Sequence, residues 1–371
     1  MRRWISVLML GAGAALAPAA DASDVGEAIP GTCVSELKPD PALNGGIPTG
    51  LLAPNAALRL CDGALAGLGA SDGRIELKTD PGASPVLRSL TRLGADASPS
   101  SGSKAPGAPG GEASCGTGLL YDGQVSVAGN GSLALLIGPT EDYRHDILGD
   151  PIEASGFCAL DLWSGETATL NLAPGSVFED LRVRLVDLTG DGRAEFVVVR
   201  SYLDRGAALA VYQLTDGRIE HLAETPAIGI ANRWLNPAGA ADFDGDGRVE
   251  IAYVETPHIG GTLKVWELAD GALRREQAVA GFSNHAAGSR ELDLSAVLDW
   301  NGDGVPDLAL PDAARRSLRI VTFAGGRFAE LAALPQYTEI KTAVHATDLD
   351  GDGKPELLYG LEDGRLILAR P

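Results

Sequence analysis

An all-β fold of repeated four-stranded antiparallel units, of the β-propeller kind, is predicted by three observations. An acidic nine-residue pattern recurs four times, the copies lie one blade length apart, and the same turn signals follow each copy. The copies read DLTGDGRAE at 187–195, DFDGDGRVE at 242–250, DWNGDGVPD at 299–307 and DLDGDGKPE at 348–356. At ordinary residue usage such a pattern arises by chance at about one start position in a million, so the four are a repeat. Their first aspartates are 55, 57 and 49 residues apart, a period that suits a propeller blade.

Each element of the unit follows from local signals. Short apolar runs at 196–199, 251–254, 308–310 and 357–359 follow the acidic loops and have strand length. Tight-turn pairs Asp216-Gly217, Asp270-Gly271 and Gly325-Gly326 fall 29, 28 and 26 residues after the first aspartate of their loops, and such pairs favour two-residue hairpins. Between loop and hairpin lies a further turn, at 204–206, 259–261 and 312–315. The unit is therefore strand A, acidic loop, strand B, turn, strand C, hairpin, strand D, which is one four-stranded blade.

The acidic loops have the chemistry of a hard-cation site. Oxygen donors stand at positions 1, 3, 5 and 9, and glycines at 4 and 6 let the backbone turn sharply. Calcium takes six to eight oxygen ligands, so the side chains at 1, 3, 5 and 9, the carbonyl at 7 and a water complete a shell. The donor sets are Asp187, Thr189, Asp191, the Arg193 carbonyl and Glu195; Asp242, Asp244, Asp246, the Arg248 carbonyl and Glu250; Asp299, Asn301, Asp303, the Val305 carbonyl and Asp307; and Asp348, Asp350, Asp352, the Lys354 carbonyl and Glu356. Carboxylates about 5 Å apart repel by roughly 3 kcal/mol per pair at an effective dielectric of ~20, so an empty loop splays or takes up protons. The second and fourth sets are all carboxylate, and Thr189 makes the first the weakest. An EF-hand is excluded, because its position-12 glutamate is replaced by Val198, Tyr253, Leu310 and Tyr359.

These units resemble the FG-GAP/VCBS repeats of bacterial secreted proteins, related to the integrin alpha-subunit propeller, from about residue 181 to 371. The resemblance implies that the A–B loop binds calcium at the positions just named, up to four structural ions in all. It implies neither catalysis nor a particular ligand.

Upstream, 123–174 reads as a fifth blade without its metal. Its loop position holds Ala128, Gly129, Asn130, Gly131 and Ser132, its C–D hairpin is Trp163-Ser164-Gly165, and an insertion occupies 138–154. Five blades are thus visible, and the N-terminal segment at 23–93 is expected to supply strands for one or two more. The last repeat has A, B and C but no D, so closing the ring calls on an N-terminal strand, with Arg74–Thr79 as the candidate. Residues 94–114 are rich in Ala, Ser, Pro and Gly and read as a disordered loop, leaving blades over 115–371.

Residues 1–22 have the three parts of a secretory signal: Arg2 and Arg3, an apolar stretch, and an Ala20-Asp21-Ala22 end. No later run approaches the roughly 18 apolar residues of a membrane span, so a periplasmic or secreted protein is expected. Cys33, Cys61, Cys115 and Cys158 then favour disulfides, with sequence neighbours as the simplest of three pairings. The formal charge of −20 and the lack of a basic patch disfavour nucleic acid.

Polar clusters elsewhere offer a ligand site built from His145, His258, His285 and Arg290. Two functions follow. The leading one is a calcium-stabilised extracytoplasmic propeller that binds or scaffolds a protein or glycan; the alternative is a propeller hydrolase or lyase acting on an extracellular polymer through those four residues. No nucleophile motif, zinc set or phosphate-binding loop supports the enzyme.

Overall fold

The computed structural model describes residues 118–128, 132–161, 166–349 and 352–371 and, upstream, the backbone of five strands. These are β1 (Val7–Leu10), β2 (Val34–Pro39), β3 (Ala56–Leu60), β4 (Leu65–Ser71) and β5 (Arg74–Thr79). The blade expected at 123–174 consists of β6 (Ser126–Val127), β7 (Ser132–Thr140), β8 (Glu153–Asp161) and β9 (Thr167–Asn171), with β10 (Ser176–Phe178) after it. The first acidic repeat is β11 (Arg184–Val186), β12 (Glu195–Tyr202), β13 (Gly206–Thr215) and β14 (Arg218–Glu224). The second is β15 (Leu235–Ala241), β16 (Glu250–Glu255), β17 (Thr262–Ala269) and β18 (Ala272–Ala280). The third is β19 (Ala296–Leu298), β20 (Asp307–Pro311), β21 (Ser317–Thr322) and β22 (Ala329–Pro335), and the fourth is β23 (His345–Thr347), β24 (Glu356–Gly360) and β25 (Leu366–Ala369). Sheet pairing is antiparallel between successive strands of each repeat. The fold of the described residues is all-β, and every acidic loop joins an A strand to a B strand as expected.

Turn chemistry fixes the register. Asp216 and Gly217 adopt φ of 50° and 72°, and Asp270 and Gly271 adopt 52° and 74°, the left-handed pair that a two-residue hairpin requires. The third hairpin is wider and places Gly325 and Gly326 at φ 67° and 71°. Residues 162–165, where the fifth blade's hairpin was expected, lie outside the described residues, as do 129–131. The strands flanking that hairpin pair antiparallel, with Leu160 facing Thr167.

Two pairings differ from expectation. Beside β25 lies β1, with Val7 facing Ala369 and Leu10 facing Leu366, whereas the expected partner, Arg74–Thr79, pairs with β4 inside the sheet β2-β3-β4-β5. Only Asp72 and Gly73 separate β4 from β5, so the local hairpin closes a far shorter loop than a pairing with the chain's last strand. The second difference is β10, which pairs with both β12 and β8 and joins the fifth blade and the first repeat into one nine-stranded sheet.

The chain divides into two compact units, one of residues 1–96, 293–322 and 329–371, the other of 97–292 and 323–328. In the first, Leu298, Trp300, Ile320, Leu357, Tyr359 and Ile367 form the core. In the second, one cluster centres on Phe157, Phe178, Phe196 and Tyr212, whose rings pack at 5.5–5.9 Å, and another on Leu209, Trp234, Tyr253 and Trp266. The B strands are buried on both faces from 196 to 199, 251 to 254, 308 to 310 and 357 to 359, which explains why they read as unbroken apolar runs.

Candidate metal centres and a buried polar cluster

All four acidic loops share one backbone design. The position-1 aspartate accepts the amide of the second glycine on Oδ2, at 2.8 Å for Asp187, 2.9 Å for Asp242, 2.9 Å for Asp299 and 2.9 Å for Asp348. The position-5 aspartate accepts the amide of position 7 at 2.8–2.9 Å in every copy. The glycines at positions 4 and 6 sit at φ 74° and 84° in the first loop, 81° and 93° in the second, and 74° and 87° in the third. Gly190, Gly192, Gly247, Gly302 and Gly304 face open space, so conformation rather than crowding demands glycine there.

The position-9 acids differ in what they leave unpaired. Each accepts the amide of position 2: Leu188 to Glu195 at 2.7 Å, Phe243 to Glu250 at 2.7 Å, Trp300 to Asp307 at 2.9 Å and Leu349 to Glu356 at 2.8 Å. In the second and third loops the other oxygen, Glu250 Oε1 or Asp307 Oδ1, is buried without a hydrogen-bond partner. In the first loop Thr189 Oγ1 donates to Glu195 Oε1 at 3.3 Å, so that oxygen is taken. Burial pushes Glu195, Asp244 and Asp307 above the ordinary carboxylate range and Glu250 up to about 7. Buried acids without a counter-charge are the chemistry that a divalent cation satisfies. In the second loop Asp242, Asp244, Asp246 and Glu250 offer ligand atoms that all lie within 4.8 Å of one another. Asp350 of the fourth loop lies outside the described residues.

The four polar residues proposed as a ligand site occupy connections at the sheet ends away from the acidic loops, and they enter three arrangements. His258 Nε2 and His285 Nδ1 are 2.8 Å apart. His285 Nε2 lies 2.8 Å from the Ser289 carbonyl, which only accepts, so a neutral His285 accepts on Nδ1 and His258 donates. Trp234 stacks on His258 at 6.1 Å and meets His285 edge-on at 4.7 Å. His145 Nδ1 instead donates to Glu179 Oε1 at 2.5 Å, and Arg290 donates to Asp122 Oδ2, Asp150 Oδ2 and the Tyr121 hydroxyl at 3.1, 2.7 and 2.7 Å.

Sequence reasoning missed the group at the centre of this cluster. Glu179 follows β10, is completely buried, accepts the Ser201 hydroxyl on Oε2, and its carbonyl accepts Trp234 Nε1–H at 2.9 Å. Burial raises its carboxyl pKa against the opposing pull of His145. Beside it in charge, Glu153 is 1% exposed, has no partner on Oε1, and is raised first by burial and then by Glu179, Asp150, Asp122 and Asp180. A carboxylate between Ser201 and His145 leaves the serine without a base, so this is not a nucleophilic triad. No motif marks Glu179; a glutamate directly after the apolar pair Val177-Phe178 was the available signal.

The repeated sheets and their A–B loops define a repeat protein of the β-propeller class. The family model of the FG-GAP-like repeat matches residues 187–253 and 261–359, so this part of the chain is built of FG-GAP-like repeats. Among solved structures, it is similar to the crystal structure of rhamnogalacturonan lyase YesW, with 15% sequence identity, a TM-score of 0.37 and coverage of 56% of this chain and 49% of that one. The chain thus spans about half the length of that protein. No curated protein matches the chain. FG-GAP repeats are typical of extracellular proteins, and among the described residues no helix is long and apolar enough to cross a membrane.

Proposed function

We propose that this protein is a calcium-binding propeller that works outside the cytoplasm as a binding or scaffold module for a protein or glycan. The observation that carries the calcium reading is the second loop, where four carboxylates converge within 4.8 Å and Glu250 Oε1 has no partner. Asp187, Asp191 and Glu195, the full set of the second loop, Asp299, Asn301, Asp303 and Asp307, and Asp348, Asp352 and Glu356 would hold the ions. Bound calcium supplies positive charge that ties the A–B corner together. The chain's own contribution is the amide cradle around each position-1 aspartate, which holds the oxygens in place. Thr189 bonded to Glu195 supports the first loop as the weakest site.

Export fits the apolar leader at 1–22 and the disulfide at Cys158. Cleavage after Ala22 would remove Val7–Leu10 and leave the outer edge of β25 open to another strand. The enzyme alternative draws no support from its four residues, which fall into three arrangements rather than one, only His258 and His285 being bonded to each other, and its test is turnover on a glycan panel. Turnover lost in His285→Ala with folding intact would overturn the binding-module reading. For calcium, thermal melting with and without EGTA is decisive. At ten times the dissociation constant each ion adds about 1.4 kcal/mol, and an unchanged melting temperature would sink the calcium sites.

A further inference from the structure

Glu250 belongs to two groups of carboxylates. One is its own loop; the other is Glu250, Glu267 and Glu276, whose ligand atoms also lie within 4.8 Å of one another. The three come from three strands. Glu250 at the start of β16 faces Glu267 on β17. On β18, Gln277 faces Val265 and Arg275 faces Trp266, so Glu276 is the extra residue of a β-bulge. Bulges re-aim side chains in this way, and here the bulge turns a strand residue toward Glu250 and Glu267.

The sibling repeats show what this place ordinarily contains. In the first repeat the residue after Tyr212, which faces Phe196, is Gln213, and the bulge residue between His221 and Ala223 is Leu222. In the third, Thr322 follows Val321, which faces Leu308, and the bulge residue is Leu331. In the fourth, Arg370 follows Ala369, and its Nε lies 3.6 Å from Glu356 Oε1. Three repeats therefore place neutral or cationic groups beside the position-9 acid, and the second places two more acids. Arg248 pairs with Glu267, but its side chain is 60% exposed and supplies one charge against six carboxylates.

Glu250 is itself 1% exposed, its Oε2 is committed to the Phe243 amide, and Oε1 has no partner. The hairpin tip at 323–328 is bonded to both sides of this region: Gly325 donates to the Asp244 carbonyl at 2.8 Å, and Gln277 Nε2 donates to the Gly326 carbonyl at 2.9 Å. An all-oxygen, all-anionic donor set suits a hard divalent cation, calcium above all in an exported protein. We propose that Glu250, Glu267 and Glu276 hold a second calcium ion beside the one in the loop at 242–250, with Glu250 shared between the two. This rests on the loop itself binding calcium.

The test is native mass spectrometry of the full chain titrated with calcium, counting bound ions. Glu276 is exposed, so Glu276→Gln and the sibling-like Glu276→Leu should fold as wild type does. Both are expected to bind one ion fewer than wild type, with affinity for that ion lower by about tenfold or more, while Asp246→Asn tests the loop ion independently. Equal, non-zero ion counts in wild type and both Glu276 variants would overturn the second site and leave the loop reading standing. A wild-type protein that binds no calcium would overturn both.

Discussion

Replacing Glu153 by Gln should stabilise the protein at neutral pH and do nothing at acid pH. Glu153 opens β8 with 1% exposure and no partner on Oε1. Burial and the surrounding Glu179, Asp150, Asp122 and Asp180 raise its pKa well above the ordinary 4.5. The nearby cations and His145 are engaged elsewhere: His145 with Glu179, Arg184 with Asp180, and Arg290 with Asp122 and Asp150. A folded-state pKa raised above the unfolded value means that the native chain holds a proton the unfolded chain releases. The stabilisation is full below about pH 4.5 and is lost as pH rises, by about 1.4 kcal/mol per pH unit for one proton. Between about pH 5 and 7.5 the loss comes to about 3 kcal/mol. Glutamine copies the protonated acid and does not titrate, so Glu153→Gln should match wild type near pH 4.5 and exceed it by up to about 3 kcal/mol at pH 7.5. Urea denaturation at fixed calcium across that range reads both the midpoint and the slope. A difference between variant and wild type that stays constant with pH would refute the reasoning.

Two further substitutions probe the fold. A Cβ on Gly261 would stand 1.6 Å from the Phe282 carbonyl oxygen, whereas Gly260, at φ +70°, faces open space. Thermal melts should therefore show Gly261→Ala destabilised by several kcal/mol and Gly260→Ala by about 1–2 kcal/mol, and equal losses would contradict the close approach. Trp234→Phe strands the buried Glu179 carbonyl that Nε1 now satisfies at 2.9 Å and should cost about 1–3 kcal/mol by urea denaturation; a neutral result would show that this bond holds nothing together.

What the sequence made legible was local. The acidic loop compresses its donors and its two left-handed glycines into nine residues, so spacing alone reveals the A–B corner, and Asp216-Gly217 announces its hairpin because few other pairs reach φ of 50° and 72°. The unbroken apolar run at 196–199 is likewise visible because both faces of β12 are buried. Long-range partnerships were not legible. Nothing around Val7–Leu10 names β25 as its neighbour, and Arg74–Thr79 alternates as well as any edge strand while its hairpin with β4 decides its place. The buried acids fail for the same reason: Glu179 meets Ser201 from β12, His145 from the β7–β8 connection and Trp234 from the β14–β15 connection. Glu276 reaches Glu250 only through a bulge that periodicity cannot register.

Ser176–Phe178 carries the last consequence. Because this three-residue strand bonds to β12 on one side and β8 on the other, the blade without an acidic loop and the first acidic repeat are stitched through a common seam. Shortening or grafting this array must keep or discard those two blades as a pair, since a cut between them would bare amides along both. The module that can be moved as a unit here is a doublet, even though the sequence counts in single repeats.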